Sequence, residues 1–288
     1  MIVVTLLPTL RYFLRGAESD RLAEPSYRKE RFARKRRLPM PRFDAGYVPR
    51  SAMAIYAHPD DIEFTVAGTV AKWARAGCDV TFVLITSGNS GTHDRTFTRK
   101  SLARVREREE RESARILGAA RVVFLRHGDC ELVPTLALRR ELVRRIRRHR
   151  PEVVLCNDPQ ALFFDDRYIN HPDHLAAGKA ALEAVFPCAE MELLWPGAGP
   201  VHKVHAVYVS SAVAPNTWID VTKTIDAKIA ALAAHRSQLG DRDIAPMILE
   251  WARGEARRVP AGKAAGKKGP SRPKHAEAFR VMRLLREE

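Results

Sequence analysis

No stretch of the 288-residue chain approaches the roughly 20 consecutive apolar residues that a membrane-crossing helix requires. The opening run MIVVTLLPTL is apolar, but it lacks a basic leading region, contains Pro8 and ends in no clear small-residue cleavage site, so it reads poorly as a secretory signal. These absences point to a cytoplasmic protein without a transmembrane segment. Cysteine is scarce: Cys78, Cys130, Cys156 and Cys188 are scattered with no C-x-x-C pair, which leaves a thiolate zinc site unsupported. Cys156, inside the apolar EVVLCN, reads as a buried reduced thiol. No G-x-G-x-x-G follows the first apolar run, which disfavours a dinucleotide there. Nor is any basic stripe interleaved with aromatic residues, so no specific nucleic-acid partner is expected.

Charge is present in excess, and its location matters more than its sum. Residues 1–50 carry 12 Lys/Arg against 5 Asp/Glu, and residues 251–288 carry 11 against 4. The 200 residues between them carry 26 against 25, so the net +15 belongs to the two ends. The ends read as solubilising termini or as arms for phosphates or an anionic surface. The body, in a chain that is 45% hydrophobic, is nearly neutral and long enough to bury a substantial core.

Along that body short apolar runs alternate with longer amphipathic ones. AMAIYA (52–57), DVTFVLIT (79–86), RVVFL (121–125), EVVLC (152–156) and VHAVYVSS (204–211) read as strands. TVAKWARAG (69–77), SLARVREREERESARILG (101–118), TLALRRELVRRIRRH (135–149), HLAAGKAALEAVF (174–186) and KTIDAKIAALAAHRSQ (223–238) read as helices. Strand–helix alternation with continuously apolar strands predicts a Rossmann-like three-layer α/β fold, a doubly wound and mostly parallel sheet with helices on both faces. The domain reading is a basic N-terminal extension over 1–50 and a catalytic domain over 51–253. A flexible Lys/Gly/Pro-rich loop over 254–275 and a C-terminal helix over 276–288 packed on the domain complete it.

In such sheets ligands bind outside the carboxyl ends of the strands. His58, Asp60 and Asp61 of AHPDD follow the first strand directly, and His171 and His174 of NHPDH open the helix after the fourth. Positions i and i+3 share a helix face, so both imidazoles can enter one pocket. Histidine nitrogens and carboxylate oxygens suit Zn²⁺, which in catalytic sites keeps three protein ligands and one open position. Spacing alone does not say which aspartate is a ligand and which stays free as a base.

AHPDD after a first strand and NHPDH much later resemble the PIG-L/LmbE-like family of zinc-dependent N-acetylglucosaminyl deacetylases. LITSGNSGT, FLRHGDCEL, PNTWIDVT and KIAALAAHRSQ fit the same pattern, and the resemblance spans about residues 52–250. It implies that His58, Asp61 and His174 hold the metal, that Asp60 is the general base and that His171 steadies charge on the reacting carbonyl. It further implies an arginine near the sugar at Arg106 and a sugar-binding carboxylate at Asp129. Asp158 reads either as a partner that orients one of the histidines or as a turn former in NDP. His235, in AHRSQ, reads as structural.

The activity the resemblance implies is removal of an N-acyl group, with acetyl the expected one, from an amino-sugar-containing small molecule, with Zn²⁺ or, alternatively, Fe²⁺ or another divalent metal. A homo-oligomer is compatible with it. Two other readings compete: a two-metal phosphoesterase in the same crevice, and a basic module for nucleic acid or an anionic surface carried by the α/β body.

Overall fold

The computed structural model describes residues 46–164, 166–260 and 272–284. In chain order these form β1 (Ser51–Tyr56), α1 (Asp61–Thr65), α2 (Ala67–Arg75), β2 (Asp79–Thr86), α3 (Arg99–Leu117), β3 (Arg121–His127), α4 (Leu136–His149) and β4 (Val153–Asn157). A small hairpin of β5 (Phe163–Phe164) and β6 (Tyr168–Ile169) leads into α5 (Pro172–Val185). Then come β7 (Ala206–Ser210), β8 (Thr217–Asp220), α6 (Ile225–Ala233), α7 (Arg236–Leu239), α8 (Ala245–Arg258) and β9 (Ala276–Arg283). The main sheet runs β3-β2-β1-β4-β7-β9-β8, parallel from β3 to β7 and antiparallel at β9 and β8. The predicted three-layer Rossmann-like architecture is the observed one.

Period-2 alternation sorts each inner strand between two cores. From β1 and the residue after it, Ala52, Ala54 and Tyr56 join the core under α2, α3, α6 and α8, whereas Met53, Ile55 and Ala57 join the core under α4 and α5. All six are buried, which is why β1 reads as a continuous apolar run rather than an alternating one. On the second face α5 offers Ala176, Ala177, Ala180, Ala181 and Ala184 to the sheet, so the helix lies close against it. Gly178 is part of that contact: a Cβ there would stand 2.4 Å from the Asn157 carbonyl oxygen at the end of β4. The start of α5 is thereby held against the carboxyl end of β4.

The two halves of the sheet diverge between β1 and β4, the switch point at which doubly wound sheets open a crevice. β1 delivers AHPDD to that crevice and β4 delivers the loop that ends in NHPDH.

Several element readings need correction. Residues 276–283 are a strand, not a helix: buried Phe279 and Val281 alternate with Arg280 and Met282, and β7 and β8 present open edges on either side. Glu277 fixes this strand by accepting from Gly68 N, Thr69 N and Lys228 Nζ, all in the interior. The segment read as a loop from 254 is helical to Arg258 within α8, and 261–271 lie outside the described residues. Of the extension over 1–50, residues 46–50 belong to the body. Tyr47 bonds the Glu152 carboxylate, and the Tyr47 carbonyl accepts from Trp73 Nε1 at 3.1 Å. The rest of the extension, 1–45, lies outside the described residues. The helix predicted over 223–238 is interrupted between α6 and α7, where His235 turns inward at φ −81° and ψ 57°.

Candidate active site

Asp60 adopts a left-handed backbone conformation, φ 96° and ψ −22°, which turns the chain sharply from β1 into α1. For a residue with a Cβ this costs roughly 1–2 kcal/mol, so the turn needs holding. Arg106, buried on α3, donates from one guanidinium nitrogen to the Pro59 carbonyl and to Asp60 Oδ2 at 3.1 Å, and from the other to Gly88 O at 2.9 Å. Gly88, at φ +58°, makes room for it: a Cβ there would meet Arg106 Nη1 at 2.2 Å.

Asp61 begins α1, and its Oδ2 accepts the His58 amide at 2.9 Å. Its Oδ1 lies 3.0 Å from His174 Nε2, and His174 Nε2 lies 3.3 Å from His58 Nδ1. His58 Nδ1 and Asp61 Oδ2 are 3.6 Å apart. Ligands 2.0–2.2 Å from a tetrahedral ion stand about 3.3–3.6 Å from each other. The three side chains lie close enough together to hold one metal ion, with separations at or slightly below that range.

The far side of each imidazole carries the partner that a ligating histidine needs to fix its tautomer. His58 Nε2 faces Asp129 Oδ1 at 3.1 Å and Asp173 Oδ2 at 3.2 Å. Asp129 also accepts from Ser90 N, and Asp173 from Cys130 N and Leu132 N. His174 Nδ1 bonds Asn170 Oδ1 at 2.9 Å. Nδ1 of His58 and Nε2 of His174 are left pointing at each other and at Asp61, as donors to one cation.

Electrostatics agree with the geometry. Burial lowers the basicity of His58, yet Asp129, Asp173 and Asp61 more than offset it and hold its pKa well above 6.5. Burial likewise opposes ionisation of Asp61, and His174 and His58 reverse that, leaving it well below 3.8. The pocket favours positive charge at this point, whether proton or metal ion. The neighbouring Asp60 behaves differently: burial raises it, Arg106 partly restores it and Asp61 raises it again, to about 6. Two adjacent carboxylates are thus split in basicity by their surroundings, the pattern that separates a ligand from a proton acceptor.

His171 is the N-cap of α5, with Pro172 as the first helical residue. Its Nδ1 accepts the Asp173 amide at 3.2 Å, so its proton resides on Nε2. Burial and the charge of His58 lower its pKa.

The crevice thus brings together His58, Asp60, Asp61, His171 and His174. Arg106 braces the turn at Asp60, and the two oxygens of Asp129 face His58 and Ser90 N. Asp158 accepts from Gln160 N and Val213 N and touches no histidine, so the turn reading holds and Asn170 takes the orienting task. Asp173, between the two histidines of NHPDH, and Asn170, directly before them, belong to the same motif, and residue type alone does not mark them as partners of the imidazoles.

A Rossmann-like sheet with two histidines and an aspartate converging at its switch point, beside a second carboxylate of raised pKa, has the features of a class of protein: metal-dependent hydrolases. Comparison with known proteins gives the family. The model of the PIG-L family, described as GlcNAc-PI de-N-acetylase, matches residues 53–185. A diacetylchitobiose deacetylase of Thermococcus kodakarensis is 36% identical, the match covering 66% of this chain and 70% of that protein. A 1D-myo-inositol 2-acetamido-2-deoxy-alpha-D-glucopyranoside deacetylase of Rhodococcus opacus is 28% identical over 70% of this chain and 85% of its own length. Among solved structures, the N,N'-diacetylchitobiose deacetylase of Pyrococcus horikoshii superposes with a TM-score of 0.73 at 26% identity, covering 84% of this chain and 88% of that one. The chain belongs to the PIG-L family of deacetylases, and it is an enzyme that hydrolyses an N-acyl bond.

Proposed function

We propose that the enzyme removes the acetyl group from an N-acetylglucosaminyl conjugate, with one Zn²⁺ held by His58 Nδ1, His174 Nε2 and Asp61. The observation that carries this reading is the spacing of those donors, 3.0, 3.3 and 3.6 Å, with the other nitrogen of each imidazole already engaged. The relatives act, by their names, on diacetylchitobiose and on an acetamido-glucosyl inositol, and these share the N-acetylglucosaminyl unit. They differ beyond it, so the second half of the conjugate is the variable part.

When bound, the ion supplies Lewis acidity and lowers the pKa of water towards about 7. The chain's own residues supply the rest. Asp60, with a pKa of about 6, accepts the proton from the attacking water and returns it to the departing amine nitrogen. Arg106 keeps that carboxylate turned into the crevice. His171 donates its Nε2 proton as a hydrogen bond to the carbonyl oxygen as charge builds there, a contribution of about 3–4 kcal/mol for a well-aligned donor. The exposed Phe163, Tyr168 and Ile169, on the hairpin that runs into Asn170 and His171, offer an apolar rim to the half of the conjugate beyond the sugar.

A two-ion phosphoesterase has less support. Among the described residues the other His/Asp group open to the crevice, His58 with Asp129 and His171, shares His58 with the first and cannot act independently of it. As for a binding module, most of the N-terminal arm and residues 261–271 lie outside the described residues. The test is to reconstitute the chain with Zn²⁺ or Fe²⁺ and to measure acetate released from N,N'-diacetylchitobiose and from an N-acetylglucosaminyl inositol. One metal ion per chain and acetate release that stops with chelator are expected. A chain that binds no divalent ion, or releases phosphate from esters in place of acetate, would refute the reading.

A further inference from the structure

Directly beneath the turn at Asp60 lies a second ionisable cluster. Glu63 on α1, Glu110 on α3 and His235 between α6 and α7 are each wholly buried. His235 Nε2 stands 3.5 Å from Glu63 Oε2 and 3.7 Å from Glu110 Oε2, and Ser113 Oγ donates to Glu63 Oε1. Neither nitrogen of His235 has a closer hydrogen-bond partner, nor has Glu63 Oε2 or Glu110 Oε1. Three ionisable side chains gathered in the interior are costly, and packing does not explain them.

What links it to the crevice is one bond. Glu110 Oε2 accepts the backbone amide of Asp60 at 3.2 Å. On the same face of α3, four residues earlier, Arg106 holds the Asp60 carboxylate and the Pro59 carbonyl. One helix therefore grips Asp60 at both ends, carboxylate and amide, and keeps it in its left-handed conformation. Two carboxylates side by side in the interior would drive Glu110 away from Glu63, and the imidazole between them counters that. His235 can occupy this place only because the chain leaves the helical path between α6 and α7.

We propose that Glu110 is a positioning residue for the general base: it fixes Asp60 through the Asp60 amide, and His235 and Glu63 hold the Glu110 carboxyl in place. Burial and the neighbouring Glu63 both raise the Glu110 pKa, so a neutral side chain that still accepts the amide serves the purpose. Glutamine at this position is then a working substitute, and a leucine of similar volume is not.

The proposal rests on Asp60 being the base, and the variants separate the two ideas. In the zinc-loaded enzyme acting on N,N'-diacetylchitobiose, Glu110→Leu should lower kcat by about 10- to 100-fold, as displacement of a catalytic group by about an ångström does. KM should stay within about twofold and metal content at one ion per chain, and Glu110→Gln should recover kcat to within about threefold of the parent. His235→Gln should lower kcat in the same direction, and by less. Asp60→Asn that keeps full kcat overturns the base assignment itself. Inactive Asp60→Asn combined with fully active Glu110→Leu overturns only the positioning role. A second metal ion per chain that is lost in His235→Gln also overturns it, because the three side chains would then be ligands. Should Glu110→Leu not fold, the Asp60 amide decides by NMR in the parent and Glu110→Gln. A downfield, exchange-protected proton that shifts in the variant is expected, and one exchanging like an open loop amide overturns the role.

Discussion

Asp61 Oδ1 lies 3.0 Å from His174 Nε2, while Oδ2 of the adjacent Asp60 lies 3.1 Å from the Arg106 guanidinium. The peptide turn at Asp60 points two consecutive carboxylates at different partners, and the turn is what gives them different work. Had both residues continued a helix or a strand, the repulsion between them would have gone unanswered. Here each charge has its own partner.

That separation predicts two distinct defects. Asp60→Asn should reduce kcat/KM by about 10²- to 10⁴-fold, the range for loss of a positioned base, with bound metal unchanged by elemental analysis. Asp61→Asn should reduce bound metal itself, and activity should return in part at high added Zn²⁺. Equal metal content in both variants would show that Asp61 is not a ligand.

The partners behind the imidazoles make a prediction of their own. Asn170 Oδ1 bonds His174 Nδ1, and Asp173 Oδ2 faces His58 Nε2. Removing such a partner typically weakens metal binding by about 10- to 100-fold. Asn170→Ala and Asp173→Ala should both show this in competition with a fluorescent zinc chelator. Asp158→Ala should leave affinity unchanged, because its carboxylate accepts from backbone amides, Gln160 N in its own turn and Val213 N in the loop after β7.

The sequence carried the fold through hydrophobic period and the ligands through contiguity. His58, Asp60 and Asp61 lie within four positions, and His171 and His174 within four more, so residue type and spacing locate them without any contact map. Strand edges and second partners obey a different logic. Residues 276–283 lie at the end of a basic stretch, and their pairing with β7 and β8 is a property of sheet edges separated from them by more than fifty residues. For Arg106 and Asp129 the resemblance implies tasks at the sugar. Their inward bonds depend on the space beside Gly88 and on the loop at Ser90. His235 looked structural in AHRSQ, and its link to Asp60 passes through Glu110 on another helix.

Acid stability should depend on Glu107. Burial by itself would raise its pKa, but Arg126, Ser87 and Arg111 bind the carboxylate and hold it below 4.5. Arg126 engages both oxygens, at 2.8 and 3.0 Å. A group whose folded pKa is depressed contributes stability above its unfolded pKa, and that contribution is lost as pH falls through the folded value. Urea midpoints of the parent should therefore drop between about pH 5 and pH 3. Glu107→Gln should be less stable at neutral pH and show a shallower drop on acidification. An identical slope in the two proteins would remove Glu107 from the account.

Gly178 tests the connection between packing and chemistry. It sits on α5 four residues after His174, against the Asn157 carbonyl that ends β4. An added methyl at 2.4 Å from that oxygen has no flexible side chain to displace, so the helix itself must shift. Overpacking of this kind costs about 1–3 kcal/mol, and the shift moves His171 and His174 away from His58 and Asp61 together. Gly178→Ala should thus lower both the melting temperature and zinc affinity. The same exchange at Gly254, within α8, meets its nearest atom, Arg257 Nη2, only at 3.8 Å and should gain about 0.5–1 kcal/mol from helix propensity without touching activity. If Gly178→Ala lost stability while binding zinc as the parent does, α5 would have absorbed the methyl without carrying its histidines along. The packing of α5 on β4 would then be separable from the metal site.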